Sequence, residues 1–380
     1  MKSNWKTVKL QELGRVVGGA TPSTKNEAFY GGSIPWLTPK DLADYSERYI
    51  SKGERSITEE GLNSCSTELL PAGTVLFSSR APIGYVAIAS NPICTNQGFK
   101  SVVPDTGVVD PLFLYYLLVF NKEKIKSAGS GTTFKEVSGN VMKNIEVEIP
   151  TSVDYQRKIA QILGSIDNQI ESNARINKNL LDQVIALSKH IQESSSNMGV
   201  LSEIAQYSRN KVPVSSLDHN NYYSTENILA NKGGSTRAEK LPSTELTIAV
   251  EPGDTLVSNI RPYFKKLVFV NRSGGCSNDV LCLHPLKPEL QYYLYSVIYD
   301  DRFFDFMTKG SKGTKMPRGD KAQIMSYPLC LLSKEGLERF NGLVTPIFQE
   351  IKQLDYESRL LTQLRDELLP RLLSGEIELQ

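Results

Sequence analysis

The sequence predicts an α+β chain: two similar mixed α/β units, each followed by one long α-helix, with the two helices packed as a coiled coil. Three observations carry this. First, one plan occurs twice. PAGTVLFSSRAP at 71–82 returns as PGDTLVSNIRP at 252–262, which places Pro71 on Pro252, Thr74 on Thr255 and Arg80 on Arg261, and Gly129-Ser130 falls on Gly310-Ser311 at the same spacing. Second, steps of four and three residues run through Ile159, Leu163, Ile166, Ile170, Asn173, Asn177, Leu180, Val184, Leu187 and Ile191, and again through Phe340, Val344, Ile347, Ile351, Leu354, Ser358, Leu361, Arg365, Leu368 and Leu372. That is a heptad seam, in which Asn173, Asn177, Ser358 and Arg365 are the polar members. Third, the stretches before each heptad segment break into short strand-like runs bounded by Gly, Pro and Ser. Four segments follow: a globular unit at 1–152, a long helix at 153–196, a second globular unit at 197–333 and a second long helix at 334–376.

In chain order, Val75–Ser78 and Tyr85–Ala89 read as strands joined by the Ser79–Gly84 loop, and Leu112–Phe120 as a buried helix. KNIEVEIP at 143–150 alternates and ends on proline, so it reads as a strand leaving the unit. The second unit repeats the set, with strands at Thr255–Asn259 and Leu267–Val270, a helix at Leu290–Tyr299 and an exit strand at Gln323–Cys330. Ser194-Ser195-Ser196 is the clearest linker signal. Each heptad segment, fully helical, runs on the order of 50 Å. Asn173 and Asn177 either fix register inside the seam or mark where it opens to water. The helices alternatively pack on their own globular units. Pro346 marks a helix start nearby, and Pro370 lies close enough to the helix end to be tolerated.

Composition excludes several classes. With 380 residues, 40% hydrophobic and 22% charged, the chain is an ordinary globular one with room for two or three domains. No apolar run approaches the ~18 residues of a membrane helix. MKSNWKTVKLQEL has no apolar signal core, so a cytoplasmic protein is expected. The cysteines Cys65, Cys94, Cys276, Cys282 and Cys330 form no CxxC pair and read as free thiols, and His190, His219 and His284 are scattered, so no metal is expected. Net charge is +1 overall, but residues 199–333 hold 16 basic and 13 acidic groups while residues 334–380 hold 6 and 9.

No GxxxxGK[ST] loop, no GxGxxG and no [DN]PP[YF] motif is present, and Glu350-Ile351-Lys352 is an isolated triplet inside a heptad helix. The simplest expectation is a chain that catalyses nothing. The positive signals are for nucleic acid. Lys309, Lys312, Lys315, Arg318 and Lys321 recur every three residues among glycines, a pattern that suits phosphate contact or, more blandly, a solvated loop. The matching first-unit loop is Gly129–Lys135, with Thr132, Thr133 and Lys135 as candidates. Arg80 and Arg261 sit at strand ends beside proline, where arginine reads guanine, grips a phosphate or serves a salt bridge. Their neighbours differ between units: Ser78-Ser79 against Asn259-Ile260, with Tyr263, Lys265 and Lys266 present only in the second.

The opening WKTVKLQELGRVVGGATPS, IPWLTPKDL at 34–42, SSRAPIG at 78–84, NQGF at 96–99, and IEVEIP followed by QRKIAQILGSID together resemble the specificity subunit of Type I restriction–modification enzymes. YSTENI at 223–228 looks like a diverged copy of the IPWLTPKDL block, whereas ANKGGSTRAEKLPSTE at 230–245 is an insert without a first-half counterpart. The resemblance implies two target recognition domains, each reading half of a split double-stranded DNA target. It implies that the two helices pack antiparallel, relate the halves by a pseudo-two-fold axis, set the spacer, and dock methyltransferase subunits, two of them expected, with motor-nuclease subunits completing the assembly. S-adenosylmethionine, ATP and magnesium would then belong to those partners and none to this chain. Thr38, Lys40, Asn96 and Gln97 join Ser79, Arg80, Asn259, Arg261, Tyr263, Lys265, Lys309, Lys312, Lys315 and Arg318 as DNA-contact candidates. The alternative is a coiled-coil scaffold whose globular units bind proteins.

Overall fold

The structure is a computed structural model that describes residues 4–43, 45, 47–80, 82–131, 135–193 and 196–379. It divides into two compact units, Met1–Asn173 with Glu357–Gln380, and Ala174–Tyr356. Each unit therefore holds a globular part and one portion of each long helix, a division that cuts across the four segments drawn from the sequence.

In the first unit a five-stranded sheet runs in the order Gly14–Gly18, Lys100–Pro104, Val75–Phe77, Val86–Ala89, Tyr49–Ile50. Its pairs are antiparallel except the last, where Tyr49 and Ile50 run parallel to Ile88 and Ala89. A three-stranded sheet places Tyr30–Leu37 between Arg55–Ile57 and Cys94–Thr95. Trp5–Lys9 pairs with the exit strand Glu146–Pro150 over five residues. The helix Pro111–Phe120 is capped by the Asp110 carboxylate, which accepts from the Phe113 amide, and begins with proline, as first turns allow. It buries Phe113, Leu114, Leu117 and Leu118 against Val75, Phe77 and Ile88.

The second unit repeats these parts. Ala205–Tyr207, Val280–Pro285, Thr255–Ser258 and Leu267–Phe269 form an antiparallel sheet in that order, without a counterpart of Tyr49–Ile50. Tyr222–Tyr223 runs parallel to Gly274–Cys276, as Trp36-Leu37 does to Cys94-Thr95, and Lys211–Pro213 with Leu246–Val250 extends this second sheet. Met198–Val200 pairs with the exit strand Pro328–Cys330, and Gln291–Tyr299 is the buried helix.

Three expectations about elements change. Lys143 and Asn144 belong to a short helix, Gly139–Asn144, and the exit strand starts at Glu146. Likewise Lys321–Met325 is helical, capped by Asp320, so the second exit strand begins at Pro328 rather than Gln323. In both places a cap residue, Ser138 or Asp320, starts a short helix that takes up the first residues of the alternating segment. The third concerns Pro346. The second long helix runs Lys334–Leu373, so Pro346 lies inside it and not at its start. Proline removes a hydrogen bond to the carbonyl four residues back and crowds it. Here that residue is the exposed Gly342, which offers room and lets water serve the carbonyl.

The first long helix spans Val153–Glu193. Every seam residue named above is buried or half-buried. In the first unit Asp167 meets Arg365 at 2.9 Å and the Asn173 amide donates to Ser358 Oγ at 3.3 Å, so one helix ascends in number as the other descends: an antiparallel coiled coil. In the second unit Asn177 Nδ2 donates to Asp355 at 2.7 Å. The polar seam residues thus meet polar partners and are not merely wet, which makes them register devices. Among the described residues no helix is long and apolar enough to cross a membrane.

Candidate nucleic-acid interface

In the first unit, backbone hydrogen bonds gather three of the sequence motifs and one loop. The Asn96 amide donates to Leu37 O at 2.8 Å, the Ser79 amide to Gly98 O at 2.7 Å, and the Val137 amide to Ser79 O at 2.9 Å. Ser130 and Glu136 exchange both amide bonds, at 3.1 and 2.9 Å. Gly98 is required where it stands, since a Cβ there would meet Pro39 Cγ at 2.7 Å and Asn96 Oδ1 at 2.9 Å.

The second unit rebuilds the same frame. The Ser277 amide donates to Tyr223 O at 2.9 Å, the Asn259 amide to Asp279 O at 2.8 Å, and the Gly319 amide to Asn259 O at 3.2 Å, while Lys312 and Arg318 exchange both bonds at 2.9 Å. Thr38, whose amide and hydroxyl donate to Asp41 at 2.7 and 2.8 Å, has its equivalent in Ser224, which donates in the same two ways to Asn227 at 2.6 and 3.1 Å. YSTENI therefore occupies the place of IPWLTPKDL.

This frame corrects the alignment of the halves. The Gly73 amide donates to Ala89 O and the Gly253 amide to Val270 O, and both glycines have positive φ, +84° and +95°. Ser78 answers Ser258, Ser79 answers Asn259, and Arg80, bridged to Glu136, answers Ile260, bridged to Arg318. Arg80 and Arg261 are not equivalent. Matching threonine to threonine in sequence misplaces this block by one residue, and in a strand one residue exchanges the two faces.

The candidates then divide by what their polar atoms do. Ser79 is 0% exposed and its hydroxyl donates to Gly98 O at 3.1 Å, so it is part of the frame and removed from the surface. Thr38 and Asn96 are also committed internally: Thr38 to Asp41, and Asn96 by accepting from the Gly98 amide at 2.8 Å. Asn259 is only 7% exposed and its Oδ1 has no hydrogen-bond partner. Lys40 is exposed but paired with Glu54 at 2.7 Å, and exposed Gln97 accepts from Thr21. Arg80 lies 3.8 Å from Glu136, which also holds Lys100 at 3.6 Å. Lys135 is exposed. Thr132 and Thr133 lie outside the described residues.

In the second unit, Lys312 is held by Asp320 at 2.7 Å and Arg318 by Asp279 at 2.9 Å. The hydrogen bond from Lys312 holds the Asp320 carboxyl below its usual range, helped by the Gln323 and Ala322 amides. Lys265 binds Asp301 at 3.0 Å. Among the described residues, the side chains of Lys309, Lys315 and Arg261 make no hydrogen bond or ion pair, and Tyr263 is largely exposed. Lys100, absent from the sequence candidates, was hidden by its position inside a strand. At the closing position of the two loops the charge inverts, from Glu136 to Arg318. A common frame with opposite charge at one point suits two surfaces that select different sequences.

One expected result follows from the frame. Ser79→Ala should lower stability by about 1 kcal/mol, the worth of one hydrogen bond, without altering sequence preference. A shifted preference at unchanged stability would return Ser79 to the contact surface.

Comparison with known proteins agrees with this architecture. The model of the family described as the type I restriction modification DNA specificity domain matches residues 2–182. The MjaIX type I restriction enzyme specificity subunit of Methanocaldococcus jannaschii is 31% identical over 420 residues, covering 99% of this chain and 94% of that protein. A type I restriction enzyme specificity subunit of Escherichia coli is 31% identical over 174 residues, 44% of this chain and 42% of its own. The crystal structure of a type I restriction-modification S subunit from M. genitalium shares the fold, with a TM-score of 0.56 at 17% identity, covering 98% of this chain and 97% of that one. The chain belongs to the family of type I restriction enzyme specificity subunits, whose role is sequence-specific DNA recognition.

Proposed function

We propose that each unit of this chain reads one half of a bipartite double-stranded DNA target through its loop cluster, and that the chain itself performs no chemistry. The observation that carries this is the repeated hydrogen-bonded frame with different side chains on it, Glu136 in one unit and Arg318 in the other. Among the described residues of the loop clusters, Lys309, Lys315, Arg261 and Lys135 make no ion pair and are free to meet phosphates or base edges. Lys40, Arg80, Lys265, Lys312 and Arg318 join them once DNA competes for their carboxylate partners, with Gln97 and Tyr263 as neutral contacts.

In this reading the paired helices set the spacer between the half-sites and dock methyltransferase subunits, two of them, with motor-nuclease subunits completing the assembly. Those partners would carry S-adenosylmethionine, ATP and magnesium, and the complex would work in the cytoplasm. The test is adenine-methylation mapping in cells that express the methyltransferase subunit with and without this chain. A split motif that disappears with the chain is the expected result. An unchanged methylation pattern, with the partner active, would leave a protein-binding scaffold in its place.

A further inference from the structure

Among the described residues, four that are not glycine adopt a left-handed backbone: Asn231 at φ +53°, Lys232 at +60°, Arg261 at +49° and Lys265 at +51°. All four lie in the second unit and meet at one place. The Asn231 amide donates to Phe264 O and the Lys232 amide to Lys265 O, both at 2.8 Å. Asp301 then holds Lys232 Nζ at 2.6 Å and Lys265 Nζ at 3.0 Å, and Lys232 Nζ also sits 4.4 Å from the centre of the Tyr299 ring. Side chains seldom tolerate this backbone, and clusters of it persist only where the surroundings enforce them, most often at functional sites.

What the cluster enforces is the turn Pro262–Phe264, framed by Arg261 and Lys265. The equivalent turn in the first unit closes between Ser78 and Tyr85, whereas this one closes between Ser258 and Lys266 and is one residue longer. Its left-handed corner is Lys265, where the first unit has Gly84 at φ +101°. The extra length presents two aromatic rings, Tyr263 at 50% and Phe264 at 38% exposure, 4.8 Å apart and tilted by 56°. The insert at 230–245 supplies the two amides that fix them, which gives that segment a purpose.

The neighbouring loop is rich in basic residues. The Arg261 amide donates to Pro317 O at 2.8 Å, so the turn abuts the loop that carries Lys312, Lys315 and Arg318. An exposed aromatic pair beside Arg261 and a loop that carries Lys315 and the carboxylate-paired Lys312 and Arg318 fits a polyanion with an aromatic interior, which duplex DNA is. Apolar side chains enter such a duplex by parting a base step.

We propose that Tyr263 and Phe264 form a wedge that the second unit inserts into a base step of its half-site, so that this unit selects sequence partly by how easily that step unstacks. The inference rests on the DNA-reading function given above. Pyrimidine–purine steps, the most easily unstacked, are the expected preference.

The test uses the full-length chain in the assembly in which it is purified. Duplexes selected from a randomised pool give the target, and 2-aminopurine is then placed at each position of the second unit's half-site. Apart from the target adenine, which the methyltransferase partner itself extrudes, the expected result is a several-fold rise in fluorescence at one step on binding. The rise should vanish in Tyr263→Ala/Phe264→Ala and persist in Tyr263→Leu/Phe264→Leu, while the first unit's half-site is selected unchanged by all three proteins. Intact selection of both half-sites with no brightened position, or brightening that survives the double alanine change, would overturn the wedge but not DNA reading. Failure of the unaltered chain to select any sequence would overturn both. Loss of a protein subunit from the alanine variant, with fluorescence unchanged, would make the rings a protein contact instead.

Discussion

Arg48→Met is expected to lower the stability of the first unit by roughly 3–5 kcal/mol, the cost of removing one partner from a buried charge pair. Arg48 is 4% exposed. Its guanidinium forks onto Glu171, from Nε to Oε1 at 3.0 Å and from the second terminal nitrogen to Oε2 at 3.1 Å, and its own amide donates to Oε1 at 3.0 Å. It also donates to Asn168 and reaches the Tyr116 hydroxyl at 3.5 Å. Tyr116 donates to Asp167 at 2.6 Å, and Asp167 accepts from Arg365 at 2.9 Å. Burial is the largest single influence and works against the Arg48 charge, but the hydrogen bond to Glu171, the charge of Glu171 and the Tyr116 hydroxyl together outweigh it and hold the pKa above the ordinary arginine value, so the group stays charged at any working pH. Burial, then Asp167, pushes the Tyr116 hydroxyl up, so it remains a donor. Methionine fills the stem's volume but removes the fork from the Glu171 carboxylate. For a unit of this size the loss corresponds to a midpoint shift on the order of 10 °C. Arg48→Lys should recover little, because an ammonium cannot fork onto both carboxylate oxygens. Arg48→Met/Glu171→Met should recover most of it, because no charge is then stranded. Thermal or denaturant unfolding of the three variants checks this, and a shift within about 0.5 kcal/mol of neutral for Arg48→Met would show the network to be ornamental.

This network also shows where sequence reasoning stops. The helices were legible because a heptad seam declares itself residue by residue, although Ile159, Leu163, Phe340 and Val344 are fully buried in the cores of the globular parts, so the helices pack on their own units as well as on each other. The polar seam positions were visible as exceptions, but their partners were not. That Asn173 meets Ser358 and Arg365 meets Asp167 depends on how two segments nearly two hundred residues apart are aligned. Arg48 carried no signal at all, since it lies in a loop outside any motif and is defined only by what folds around it. The candidate interface was half legible. Residue types pointed to loops that the structure brings together, because glycine, proline and arginine mark where a chain turns at a strand end. They could not separate side chains that build the loops from those the loops display. Ser79 and Asn96 are polar because the frame needs their hydrogen bonds, whereas Lys309 and Lys315 are polar because nothing covers them. The one-residue misalignment of Arg80 with Arg261 arose because Gly73 and Gly253, which fix the register, are short of chemistry and were outvoted by a threonine match.

The distinction between displayed and committed cations has a measurable consequence. Each phosphate contact adds roughly 0.9 to the slope of log affinity against log salt. Lys309 and Lys315 have no carboxylate to leave before meeting DNA, so Lys309→Ala/Lys315→Ala is expected to reduce the slope by about 1.8. Between about 50 and 200 mM salt the unaltered chain should then lose about tenfold more affinity than the variant. Lys312 must first part from Asp320, whose carboxylate also accepts from the Ala322 and Gln323 amides at 3.0 and 3.2 Å and so stays in place. Lys312→Ala is therefore expected to move the slope by less than either free lysine does. Arg318→Ala would leave Asp279 unpaired beside the phosphates, so it should weaken binding more than its own contact is worth. Binding titrations at several salt concentrations separate these outcomes. Equal slope changes for Lys309, Lys312 and Lys315 would mean that the carboxylate pairings do not matter to DNA. No slope change in any of them would remove the 309–318 segment from the interface and leave Arg261 and the aromatic turn to account for the second unit's contact.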